Sequence, residues 1–149
     1  MRPSVRGVLL DDDERLVLFR RTVPGRDIYW SVPGGHVEPE DGSLVGTLRR
    51  ELLEELGATV FGVTPLITVS YAWKDAVKTQ HVFGCRLASM DPELRHGPEF
   101  EDPSRGVYEV VRVPLDRTEI TTRHLVPEAV ADYLSSAITH LPRLIGQDA

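Results

Sequence analysis

Cysteine is nearly missing from this chain: Cys85 is the one example in 149 residues. A lone thiol cannot close an internal disulfide, so a reducing, cytoplasmic setting is the simplest expectation. Long apolar runs are missing as well. No stretch approaches the roughly 20 apolar residues of a membrane helix. The basic start Met1-Arg2-Pro3-Ser4-Val5-Arg6 leads into no apolar run of signal-peptide length. Positive charge is the third shortage, with 17 Lys and Arg against 23 Asp and Glu and a net charge of −6. That excludes broad electrostatic binding to a nucleic acid polymer, which needs clustered cations to meet phosphates. A small anionic ligand stays compatible, provided that cations bridge the like charges.

What remains is ordinary and globular. Hydrophobic residues make up 41% and charged residues 27%, enough to bury a core. Residues 1–149 read as one domain, without repeats, low-complexity tracts or a linker. Val5–Leu10 and Leu16–Phe19 are apolar and flank Asp11-Asp12-Asp13-Glu14, the pattern of a hairpin with a solvated acidic turn. Ile28–Val32 reads as a short strand, Pro33-Gly34-Gly35 as a tight turn and His36–Glu38 as a brief strand. Thr59–Tyr71 reads as one or two strands around Pro65, and Lys78–Leu87 as another that buries Cys85 as a small apolar residue. Asp91–Gly106 is polar and carries Pro92, Pro98 and Pro103, a surface loop ahead of a strand over Gly106–Val113. Pro127 opens a terminal helix over Glu128–His140. Strands, a helix, more strands and a final helix predict a mixed α/β domain with helices packed on a sheet.

The most informative helix runs from Ser43, a natural N-cap, to Leu56, with Gly57 placed to end it. Leu44, Leu48, Leu52 and Leu56 form its apolar stripe. At about 100° per residue, Glu51 and Glu55 each fall within about 20° of Leu44, and Glu54 lies about 80° away. Glu55 thus points into the edge of the apolar stripe, where a merely solvated acid would point away. Three like charges at the border of a core call for a positive partner, and a hard divalent cation such as Mg2+ suits carboxylate oxygens. Gly34 and Gly35, lacking Cβ, would let backbone approach a ligand closely and offer a carbonyl oxygen.

The stretch Pro33-Gly34-Gly35 followed by Arg50-Glu51-Leu52-Leu53-Glu54-Glu55-Leu56-Gly57-Ala58 resembles the Nudix box, Gly-x5-Glu-x7-Arg-Glu-U-x-Glu-Glu-x-Gly-U, where U is bulky and aliphatic. The second half matches except at Ala58. The first half carries one extra residue: counting forward from Gly35 puts the first acid at Asp41, and counting back from Arg50 puts it at Gly42. Asp41 or Glu40 would take the place of the usual glutamate. The resemblance implies a Nudix-like α/β/α sandwich with a central mixed β-sheet and flanking helices. It implies MutT-like, Mg2+-dependent hydrolysis of a diphosphate linkage in a nucleoside triphosphate or related nucleoside diphosphate derivative, with Mn2+ able to substitute. ADP-ribose or a nucleotide sugar is the alternative substrate, and a catalytically silent nucleotide sensor the alternative class.

Residue by residue, the resemblance assigns metal binding to Glu51, Glu54, Glu55 and the Gly35 carbonyl, with Glu54 or Glu55 as general base. Arg50 would hold the glutamates by ion pairing. Some relatives use a later acid, for which Glu99, Glu101 and Asp102 stand in a suitable loop. Arg21 matches a phosphate-binding arginine, Gly34 lies at the substrate turn, and Trp30 is a candidate for substrate contact. Trp30, Tyr71 and Trp73 are each able to stack on a base. His36 is placed to line the cleft, and His81 reads as structural. The expected partner is a small nucleotide, with no membrane, and the resemblance is compatible with a homodimer.

Overall fold

A computed structural model describes residues 3–146. Its sheet contains β1 (Ser4–Leu10), β2 (Leu16–Thr22), β3 (Tyr29–Ser31), β4 (Gly34–His36), β5 (Ala58–Trp73), β6 (Ala76–Met90), β7 (Val107–Val113) and β8 (Leu125–Val126). The order is β5-β6-β1-β2-β3-β8, with β4 also paired to β1 and β7 to β2. β1 runs parallel to β6 and β3 parallel to β8, while the other pairs are antiparallel. The sheet is therefore mixed. Helices α1 (Leu44–Leu56), α2 (Arg117–Thr121), α3 (Glu128–Ala137) and α4 (Leu141–Leu144) complete the fold.

Alternation along the central strands decides which face meets which helix. Val5 and Leu9 of β1, with Val17 and Phe19 of β2, pack on Leu48, Leu52 and Leu56 of α1. Val8, Leu10, Leu16 and Leu18 point the other way, to Val130 and Leu134 of α3 and to Leu141. The result is the α/β/α sandwich expected above. At Gly7 a Cβ would stand 3.1 Å from Leu48 Cδ1, so the missing side chain sets how closely α1 sits on the sheet.

The sheet also opens a cleft. β1 and β2 pair at Leu10 and Leu16 and then diverge. Beyond that point β2 pairs with β3 and β1 with β4. Val32 and Pro33 carry the chain across from one half to the other. The split leaves room between the halves at the end of α1 that bears the glutamates.

Several sequence expectations are corrected here. Gly34 and Gly35 are not the turn but two residues of β4, which ends at His36. Gly34 has φ 154° and lies so close to β1 that a Cβ would overlap the Val5 carbonyl. β5 is one strand, continuous through Pro65. It lies at the sheet edge, where a missing N–H costs no ladder bond. Its register shifts around Phe61 to Ile67 absorb the irregularity. The terminal helix stops at Ala137, and α4 follows separately. The short α2 and β8 were not expected. The acidic turn is not simply solvated, because the Asp11 side chain is 1% exposed and paired with Arg15 and Arg112.

Candidate active site

The N-terminal approach to α1 resolves the extra residue in the box. Pro39–Asp41 forms a 3-10 turn. Gly42 follows with φ 77°, a left-handed conformation natural to glycine, and Ser43 then caps α1 by accepting from the Gly46 N–H. This kink delivers Asp41, not Glu40 or Gly42, to Arg50. Arg50 Nε donates to Asp41 Oδ1 at 2.7 Å and Nη2 to Oδ2 at 3.0 Å. The Arg50 guanidinium holds the Asp41 carboxyl well below the usual carboxylate range, aided by donation from Thr47 and the Glu38 N–H. Arg50 is raised in turn, chiefly by that same pair.

Arg50 also orders what surrounds it. Nη1 donates to Glu51 Oε1 at 3.0 Å and to Glu54 Oε2 at 3.3 Å, and Nη2 to the His36 carbonyl at 2.9 Å. One planar cation thus ties the acidic turn, the helix and β4 together, a task suited to the fixed fork of a guanidinium. Glu51 lies against Gly35 so closely that a Cβ there would collide with its carboxylate.

Glu55 is buried, and the Gly34 N–H donates to its Oε1 at 2.9 Å. Burial, followed by the neighbouring Glu51, pushes Glu55 well above the usual carboxylate range. Glu51 is raised too, mainly by burial, with Arg50 opposing and Glu54 adding to the rise. Two adjacent carboxylates therefore sit where ionisation is costly. Among the described residues, no group of three acids or imidazoles is gathered tightly enough to hold a metal ion as it stands. Glu54 is turned toward Arg50. The donor set is nonetheless all oxygen, acidic and short of positive charge, which fits a hard divalent cation.

These groups open into a cleft of about 990 Å³. Glu51, Glu55, Gly34, Gly35, His36 and Arg21 line it, and so do Tyr71 and Trp73. Glu99 lines it as well, while Glu101 and Asp102 do not. Glu54 and Arg50 are not among the lining residues; Arg50 reaches the lining through Glu51. Trp30 is not among them: its ring packs on the α3-side core, with the Arg123 guanidinium 5.5 Å from its centroid. Tyr29, one residue earlier, faces the cleft instead. His81 stays outside, with Nδ1 3.3 Å from Thr68 Oγ1.

Arg21 is less free than a solvated arginine. Its guanidinium stacks 3.5 Å from the Tyr108 ring centroid and donates to Tyr29 Oη, the Val107 carbonyl and the Arg105 carbonyl. Sequence reading missed Arg6, which reaches the cleft floor. Its Nε donates to Gln80 Oε1 at 3.1 Å and its Nη1 to the Val32 carbonyl at 2.9 Å. Gln80, itself buried, donates on to Tyr71 Oη at 3.2 Å. Burial lowers the Arg6 pKa, while Glu55 opposes that fall. No helix among the described residues is long and apolar enough to cross a membrane.

The α/β/α sandwich and its acid-lined split define a class, and comparison with known proteins identifies it. The NUDIX domain family model matches residues 1–129. The chain belongs to that family and is a Nudix hydrolase. Solved structures of the same fold include a NUDIX hydrolase from Nitrosomonas europaea, at 20% identity and TM-score 0.71, covering 99% of this chain and 93% of that one. A MutT protein from Methanosarcina mazei Go1 aligns at 22% identity and TM-score 0.66, covering 91% of each chain. The NUDIX domain of Shewanella oneidensis NrtR, solved with ADP ribose, aligns at 19% identity and TM-score 0.69, covering 95% of this chain and 88% of that one. No curated protein matches the chain by sequence.

Proposed function

We propose that this protein hydrolyses a diphosphate linkage in a nucleoside triphosphate or a related nucleoside diphosphate derivative, using a divalent cation, Mg2+ or Mn2+ in its place. The observation that carries this reading is a pair of carboxylates, buried Glu55 against the Gly34 N–H and half-buried Glu51 against Gly35, in a cleft that also holds Arg6, Arg21, Arg26 and Arg105. Acids short of positive charge and arginines suited to phosphate share one cavity.

Glu51, Glu54, Glu55 and the Gly35 carbonyl would hold the cation, which when bound would neutralise diphosphate charge and acidify a water molecule. Arg50 and Asp41 fix the direction in which Glu51 and Glu54 present their oxygens. Glu54 or Glu55 takes the proton from the attacking water. Arg6 offers the N–H groups left over from Gln80 and Val32 to a phosphate oxygen. Arg21, braced between Tyr29 and Tyr108, does the same from the opposite side, and Gly34 keeps the backbone low enough for close approach. The cytoplasm is the compartment that supplies such substrates.

The test is release of phosphate or pyrophosphate from a panel of nucleoside triphosphates and ADP-ribose, with Mg2+ or with chelator. Turnover is expected only with the divalent cation. Glu54→Gln is expected to lose about 10²- to 10⁴-fold, the usual worth of a positioned base. Equal turnover in chelator and in Mg2+ would overturn the reading.

A further inference from the structure

The tip of the β5–β6 hairpin carries an aromatic ring that the chemistry above does not use. Trp73 is 50% exposed and lines the cleft at its rim. The Tyr108 and Tyr29 rings in this cavity are already engaged, and Tyr71 is held through its hydroxyl by Gln80. Tyr108 carries Arg21 on its face at 3.5 Å and meets Phe19 and Phe100 edge-on. Tyr29 lies under Arg26, 4.5 Å from its centroid. Among the described residues, the cations over the Trp73 ring are lysine ammonium groups, Lys78 Nζ at 5.0 Å and Lys74 Nζ at 5.9 Å from the ring centroid. Strongly hydrated ammonium groups on flexible stems are easily moved aside.

The hairpin register places this ring in line with the deeper groups. Tyr71 pairs with Lys78 and Val69 with Gln80. In a strand of period two, Trp73, Tyr71 and Val69 share one face with Lys78 and Gln80. Gln80 in turn holds Arg6 at the cleft floor. From the level of Trp73 to that of Gln80 is four residues, about 13 Å at roughly 3.3 Å per residue. A planar ring at the rim is thus followed by Lys78, then by Arg6, then by the paired glutamates. That succession suits a nucleoside joined to a short phosphate chain, ring outward and phosphates inward.

We infer that Trp73 is a stacking platform for the nucleobase, with Lys78 attending the phosphate chain as it passes inward. This deepens the hydrolase reading, on which it rests, by assigning the ring-binding end of the cleft and requiring a substrate with a planar base. The experiment is a binding measurement that needs no turnover. The probes are the α,β-methylene diphosphates of adenosine, guanosine, cytidine and uridine, and bare methylenediphosphonate, all titrated in Mg2+ by calorimetry. Base stacking gives about 1–3 kcal/mol, so at least one nucleoside probe is expected to bind about 5- to 150-fold tighter than the bare diphosphonate. Trp73→Ala is expected to erase that advantage, and Trp73→Phe to restore most of it. In a Trp30→Phe background Trp73 is the sole tryptophan, and its emission should change saturably with the ring-bearing probe and stay flat with methylenediphosphonate. If no nucleoside probe outbinds the bare diphosphonate, or if Trp73→Ala leaves the advantage intact, the inference fails. Failure of the hydrolase reading would appear separately, as missing Mg2+-dependent turnover.

Discussion

Two acidic clusters lie in this fold, and they have been treated in opposite ways. In the turn between β1 and β2, the buried Asp11 carboxylate accepts from the N–H groups of Asp13 and Arg15 and pairs with the guanidinium groups of Arg15 and Arg112. Burial alone would raise it, yet the donors outweigh that effect and its pKa is lowered. At the end of α1, Glu55 is buried beside a second carboxylate, and these outweigh Arg6 and the Gly34 N–H, so that its pKa is raised. The first cluster is saturated and has structure as its task. The second has more carboxylate than cation around it, which disfavours its ionised form and, on the function proposed above, keeps the place for a divalent cation. Charge balance, not the number of acids, separates a structural cluster from a reactive one.

The sharpest way to break that contrast is Glu55→Gln. The amide keeps an oxygen for the Gly34 N–H and removes the buried charge. Turnover should fall by about 10²- to 10⁴-fold, while the melting temperature in chelator should rise by a few degrees. A variant that is both inactive and less stable in chelator would mean that Glu55 is structural after all. Asp11→Ala is the mirror experiment. It strips several charge-assisted hydrogen bonds and should cost roughly 2–3 kcal/mol of stability, read by denaturant unfolding, with turnover under native conditions unchanged.

The same contrast predicts opposite responses to pH. The fold favours the protonated form of Glu51 and Glu55, so the folded state retains protons that the unfolded chain gives up near its ordinary value of about 4.3. Their contribution is most favourable below that value and declines as pH rises above it. Asp11 is depressed in the fold, so its contribution is present above about 3.9 and is lost as pH falls. In chelator, the thermal advantage of Glu55→Gln over the parent should grow as pH rises from about 5 to 8. The deficit of Asp11→Asn should shrink below about pH 4. Parallel curves for the two variants would remove the distinction.

How much of this was legible in the sequence depends on range. The convergence of Glu51 and Glu55 on the α1 stripe is a local consequence of helical periodicity, and it was readable from residues 44–56. The sandwich followed from the order of elements and the box resemblance. Arg6 and Gln80 were not readable, because their contact depends on the parallel pairing of β1 with β6, and 74 positions separate them. Trp30 illustrates a different limit. In a strand, an error of one residue exchanges faces, and it is Tyr29 that meets the cleft. The acid serving Arg50 stayed ambiguous by counting, since spacing carries no record of a left-handed glycine between a 3-10 turn and a helix cap.

That glycine supplies the smallest and most discriminating expectation. Asp41 is a further acid, saturated like Asp11, and its partner Arg50 also pairs with Glu51 and Glu54. Gly42 makes that pairing reachable despite the extra residue in the box. Nothing lies within 4 Å of a Cβ built at Gly42, so the cost of Gly42→Ala is backbone strain alone, at φ 77°. A left-handed alanine costs about 1–2 kcal/mol, a fall of a few degrees in melting temperature at this chain length. If the Asp41–Arg50 pair outlasts the strain, kcat stays within about twofold of the parent. If the turn relaxes and draws Asp41 away, the loss of kcat should exceed anything the modest fall in stability explains. It should then match that of Asp41→Asn, because both changes release the Arg50 guanidinium, which Asp41 otherwise holds in place against Glu51 and Glu54.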